Sequence, residues 1–190
     1  MTLRFQILRS QRGLSFPLAL ALLFAATSRL AQAQAEPTAI GSGSRWLAGG
    51  TYSYFQADYG KRYLGGGSGF VDYARSPRVS YEAEIRFLTM NQEAGTHQST
   101  YLIGAKFPYY THWATPYAKI LIGVGRFHFP YDYADGSFFV LAPGAGVDLP
   151  VGKSRFSVRL IDVQYQSWVN FPFGTLNPYG ISTGVALRIH

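Results

Sequence analysis

From Val79 to Phe87 the chain alternates without a break: Val79, Tyr81, Ala83, Ile85 and Phe87 share one phase, and Ser80, Glu82, Glu84 and Arg86 the other. A strand points all three charged residues to one face, whereas a helical period would scatter them around a cylinder. The same period predicts further strands. Tyr101, Ile103, Ala105 and Phe107 oppose Leu102, Gly104 and Lys106, and Ala118, Ile120, Ile122 and Val124 oppose Lys119, Leu121 and Gly123. Phe139, Leu141, Ala145 and Val147 oppose Val140, Ala142, Gly146 and Asp148, and Tyr179 to Ile189 alternates against Gly180, Ser182, Gly184, Ala186 and Arg188. Weaker patterns over 45–57, 64–75 and 154–168 bring the expected count to eight. Around Arg159 the phase flips, which predicts a β-bulge, and Pro143, with no N–H to give a ladder, predicts a second irregularity.

The connections alternate in length. Tight turns at 75–78 and 149–153 separate longer loops at 58–63, 91–97, 129–137 and 169–178, with 109–115 longer than its place in the order requires. An even strand number with alternating short turns and long loops is the pattern of a transmembrane β-barrel, and it places both ends of the barrel on the short-turn, periplasmic side.

Composition narrows the reading. The 190 residues include 3 Trp, 14 Tyr, 14 Phe and 21 Gly but no Cys, so disulfides, thiolate metal cages and cysteine nucleophiles are excluded. Arg4, Arg9 and Arg12 precede an apolar stretch from Leu14 to Ala26, and Ala31-Gln32-Ala33 offers a small-x-small cleavage site, overlapped by Ala33-Gln34-Ala35. Residues 1–33 therefore read as a signal peptide and 34–43 as a short linker, with the barrel over 44–190. Cleavage removes four arginines and no acid from 17 basic and 10 acidic residues, leaving 13 against 10. The high charge is thus partly a property of the leader, and with no basic run beyond it, nucleic acid is not an expected partner.

The two faces are chemically distinct. One is almost wholly apolar; the other is rich in Gly and Ala and carries Glu82, Glu84, Arg86, Lys106, Lys119, Asp148, Asp162 and Arg188. A small eight-stranded barrel has no room to hold the large apolar set inside, so these side chains are expected to face lipid and the charges to form a salt-bridged plug. Ile122→Arg should then block insertion, while Gly123→Ala should be mild. Phe87, Phe127, Phe129, Tyr131, Tyr133, Trp168, Phe171 and Phe173 at one level, and Tyr109, Tyr110, Trp113 and Tyr117 at the other, read as interfacial girdles, with Arg126 reaching to acidic head groups. Phe87, Trp113, Tyr117, Arg126, Phe129 and Trp168 are the expected anchors.

With Thr115-Pro-Tyr-Ala-Lys119 and Pro143-Gly-Ala-Gly-Val-Asp148, the chain resembles the small eight-stranded outer-membrane β-barrel family, the OmpA/OmpX-like barrels, from about residue 44 onward. That resemblance implies an all-β, up-and-down antiparallel transmembrane barrel of the Gram-negative outer membrane. It also implies, as partners, lipid, lipopolysaccharide and the barrel assembly machinery. Ser182, Gly184, Leu187 and Ile189 occupy the places of the family's C-terminal assembly signal, although Ile189 stands where a final aromatic is usual and His190 trails it.

Catalytic chemistry is sparse. His97, His112, His128 and His190 are scattered over loops and strand ends with no pair at metal-ligand spacing, and no cofactor is implied. In the resembling lipid A deacylases a His-x-Ser pattern is expected, but the residue two after His128 is Pro130. Glu82 and Glu84, beside Arg86, read as plug charges rather than an acid/base pair. The lumen of so narrow a barrel is filled by side chains, so the function is expected in the loops: a structural or surface-interaction role toward an unidentified surface ligand, not an enzyme. The competing readings are a soluble lipocalin-like periplasmic barrel and a lipid A-modifying outer-membrane enzyme.

Overall fold

The structure is a computed structural model that describes residues 46–58, 63–90, 97–128, 136–171 and 174–189. The leader, the linker, Phe129 and His190 lie outside the described residues, as do Tyr131, Tyr133 and Phe173.

Ten strand segments follow one another: β1 Trp46–Gln56, β2 Tyr63–Ser76, β3 Val79–Met90, β4 His97–Pro108, β5 Thr115–His128, β6 Gly136–Pro150, β7 Phe156–Tyr165, β8 Ser167–Phe171, β9 Gly174–Leu176 and β10 Tyr179–Ile189. They make eight staves, because β8 continues β7 and β10 continues β9. Each neighbouring pair is antiparallel, and the sheet closes on itself where β1 meets β10 and β5 meets β6. Closure leaves no unpaired edge, which is what lets strands cross lipid.

Both irregularities expected from the sequence are present. Val147 pairs with Ile161 and Asp148 with Arg159, so Leu160 is an extra residue; on the other side Ser182 pairs with Asp162 and Gly184 with Arg159. Leu160 and Ile161 both face outward, and the bulge returns Arg159 and Asp162 to the same inner face three residues apart. At Pro143 the ladder from β6 is interrupted between the Gly144–Gln164 and Leu141–Ser167 pairs with its register unchanged, and the stave breaks at Gln166. There the Gln166 N–H donates instead to the Pro178 carbonyl at 2.7 Å, tying the breaks of the last two staves together.

The short connections lie at the end that carries Trp46 and Ile189. The turn at 109–114, long for its class, is held by N–H donation from Tyr109 to the Pro116 carbonyl (2.8 Å) and from Thr111 to the Ala114 carbonyl (3.0 Å). In the turn after β6, Gly152 adopts a φ of 54°, which a side chain would disfavour. The outer surface carries Tyr52, Tyr81, Ile85, Tyr101, Ile103, Ile120, Ile122, Val124, Phe139, Val163, Ile181 and Val185, all exposed. Among the described residues no helix is long and apolar enough to cross a membrane.

Candidate functional site in the barrel lumen

The inner face is layered. Nearest the turns, Lys106 Nζ lies 2.7 Å from Asp72, 2.9 Å from Asp148 and 3.6 Å from Glu82. Above it, Lys119 Nζ reaches Glu82 and Asp162 at 2.7 Å and Glu84 at 3.3 Å. Arg159 binds Asp148 at 3.0 Å, Glu82 at 3.1 Å, Asp162 at 3.4 Å and Asp72 at 3.5 Å, and Arg86 binds Glu84 at 2.9 Å. Five carboxylates thus face four cations, nearly all of them buried. The cations also sit on rings: Arg159 lies 3.6 Å above the centroid of Phe70, Lys106 4.0 Å from Tyr117, and Arg86 4.2 Å from Phe55.

The structure brings together Glu82, Glu84, Arg86, Lys106, Lys119, Asp148 and Asp162. Arg188 stands apart. It lines, with Asp72, Lys106, Asp148 and Trp46, a cavity of about 90 Å³ at the mouth beside the turns. Tyr110 lines the same cavity, and burial pushes its phenol above its ordinary value. Two members of the cluster were not legible. Asp72 belongs to a glycine-rich strand with little alternation, and Arg159 is turned inward only by the bulge, although the phase flip beside it was the signal that could have found it.

Over the charges lies a neutral polar layer. Arg86 donates to Gln164 Oε1 at 2.5 Å, Gln166 donates to the same oxygen at 3.0 Å, and Gln98 and the Trp168 indole N–H both donate to Gln166 Oε1, at 3.2 and 3.0 Å. Toward the loop end the lumen becomes oily: Phe55, Leu64, Leu88, Phe127, Val140, Trp168 and Leu176 form one buried cluster with Leu102 and Leu121. An apolar cap inside the barrel was not expected from the Gly- and Ala-rich phase.

Two of the expected interface anchors are corrected by this layering. Tyr117 is buried in the lumen, where its hydroxyl donates to Asp162 at 2.6 Å; it alternates in phase with Lys119, so it points inward. Trp168 is fully buried in the cap and packs over Gly125, and Phe127, in the same phase as Gly125, lies beside it. Aromatic side chains near strand ends need not be girdle residues when their phase is the inner one. Phe87 (51% exposed), Trp113 (75% exposed) and Arg126 do point outward.

The expectation for Gly123 is also overturned. A Cβ there would lie 2.0 Å from the Tyr101 carbonyl oxygen, so this glycine is required by backbone approach rather than free to change. Of the C-terminal residues, Ser182 faces inward and hydrogen-bonds to Ser53 at 2.8 Å, Gly184 abuts the Gly50 carbonyl, and Leu187 and Ile189 face outward. The histidines are not all scattered: His97 and His128 are paired directly across β4 and β5, with ring centroids 4.7 Å apart and planes at 26°. The separation of 31 residues hides this pairing until the register is known. His112 lies in the turn at the other end. Among the described residues no group of three or more His, Cys, Asp or Glu is arranged to hold a metal.

No protein-family model matches the chain, and no curated protein matches it. Solved structures do. Neisserial surface protein A (NspA) is 12% identical over 76% of this chain and 96% of its own, with a TM-score of 0.62. The outer membrane protein OprG of Pseudomonas aeruginosa is 10% identical over 78% and 97%, with a TM-score of 0.55. The N-terminal β-barrel domain of OprF from the same organism is 12% identical over 77% and 99%, at 0.50. At these identities the likeness is one of fold, and the fold shown is that of the small eight-stranded outer-membrane β-barrels.

Proposed function

We propose that this chain resides in the outer membrane of a Gram-negative cell as a closed barrel and has a structural or surface-interaction role through the loops opposite Trp46 and Ile189. One observation carries the reading: the outside is a continuous apolar surface while nine charged side chains are gathered inside. In water this arrangement would expose a hydrophobic area far beyond that of a soluble protein, and a lipocalin-like barrel has the reverse polarity.

Lipid and lipopolysaccharide are the proposed partners of the outer face, where Arg126 stands at the loop end of β5 above Val124 and Ile122. The barrel assembly machinery is the proposed partner during insertion. The loop sequences Phe129-Pro-Tyr-Asp-Tyr-Ala-Asp-Gly136 and Val169-Asn-Phe-Pro-Phe-Gly174 supply acidic and aromatic groups for a surface ligand. A non-enzymatic role is favoured because Glu82 and Glu84 are both engaged in buried ion pairs.

The test is cell fractionation joined to gel mobility with and without boiling. Outer-membrane recovery with a heat-modifiable band supports the proposal; recovery in the soluble periplasm refutes it.

A further inference from the structure

We propose that His97 and His128 form a two-histidine chelate for a late first-row transition-metal ion at the loop-end rim of the barrel. The two residues face each other across neighbouring antiparallel strands, where Cβ atoms lie roughly 4.5 to 5.5 Å apart. Their rings already overlap, with centroids 4.7 Å apart and planes opening at 26°. Two metal–nitrogen bonds of about 2.0 to 2.1 Å at a square-planar or tetrahedral angle require the nitrogens to lie about 3 Å apart. Stacked as they are, the rings have to turn about χ2, a torsion with a broad minimum, to point one nitrogen each at a shared ion. The strands fix the Cα positions on a closed barrel, so little ordering remains when the ion arrives.

The class of ion follows from the donors. Imidazole suits Cu²⁺, Ni²⁺ and Zn²⁺, whereas Ca²⁺ and Mg²⁺ require several oxygens. Two imidazoles leave the remaining positions on the ion to water or other oxygen donors. Arg126, two pairs below on the same strand face, disfavours cations held by charge alone and leaves those held by strong nitrogen bonds. Cu²⁺, the tightest binder of the divalent series, is therefore the probe. The bound ion would pin β4 to β5 where they enter a loop.

The experiment uses the untagged full-length barrel folded in detergent, titrated with CuCl₂ and read by calorimetry and electron paramagnetic resonance. Heat-modifiable mobility verifies that each variant is folded. One equivalent should bind with a nitrogen superhyperfine pattern from two imidazoles. His97→Ala and His128→Ala should each weaken binding by roughly tenfold or more, a loss that even an outer partner of a metal site can cause. His112→Ala, in the turn at the opposite end, should bind as the parent does. Absence of Cu²⁺ binding by the parent, or equal affinity in the His97 and His128 variants, would overturn the proposal.

Discussion

Lys119→Met is the sharpest probe of the charged lumen. The ammonium is fully buried and contacts three carboxylates: Glu82 and Asp162 at 2.7 Å, and Glu84 at 3.3 Å. Removing it leaves five carboxylates facing Arg86, Lys106 and Arg159. Breaking a buried pair by deleting one partner costs about 3 to 5 kcal/mol, because the remaining charge is left without compensation. Glu82→Gln in the same chain removes one of the stranded charges and restores the original excess of a single carboxylate. The double variant should accordingly be more stable than the sum of the two single effects by about 2 kcal/mol, within the range of coupling seen for residues in one network. The assay is urea unfolding in detergent or lipid, followed by tryptophan fluorescence and by gel mobility. A single-variant loss below about 1 kcal/mol, or additive effects in the cycle, would refute the claim that the lumen is held by mutual neutralisation.

Other substitutions test the two faces and the irregularities. Ile122→Arg places a charge in the lipid-facing band and should cost about 2 to 4 kcal/mol, read as loss of folded, membrane-inserted protein. Gly123→Ala should also impair folding, since the new methyl group meets the Tyr101 carbonyl, whereas Gly50→Ala, with its nearest neighbour 3.7 Å away, should be tolerated in the same assay. Trp168→Ala empties the centre of the apolar cap and should lower unfolding stability by about 3 to 5 kcal/mol. Deleting Leu160 removes the extra residue and leaves Arg159, Ile161 and Asp162 in plain alternation, so the folded band should survive, whereas deleting Leu160 and Ile161 together sets Arg159 beside Asp162, reverses the phase on one side and should abolish it.

Strand number, turn order and the outward phase could be read from the sequence because the period of two is nearly uninterrupted in β3, β5 and β10. Even the bulge announced itself, as consecutive apolar residues Leu160 and Ile161 between Arg159 and Asp162. What could not be read depends on shear and register, which bring together residues far apart in the chain. The partners of Lys106 come from β2, β3 and β6, and no local pattern specifies that convergence. Tyr117 and Trp168 lie near strand ends but in the inner phase, and phase rather than nearness to an end decides which way an aromatic points. The His97–His128 pair is hidden in the sequence for the same reason as the ion network: its two halves meet only once β4 and β5 are aligned.

The central claim is that greasy side chains face the lipid and ionic ones the interior, and the cysteine-free chain makes it directly measurable. Single cysteines introduced along β5 at Ala118, Lys119, Ile120, Leu121, Ile122 and Val124 can each carry a spin label in a reconstituted bilayer. Accessibility to oxygen, which concentrates in lipid, should be high at 118, 120, 122 and 124 and low at 119 and 121. High oxygen accessibility at 119 and 121 with protection at 120 and 122 would contradict the account.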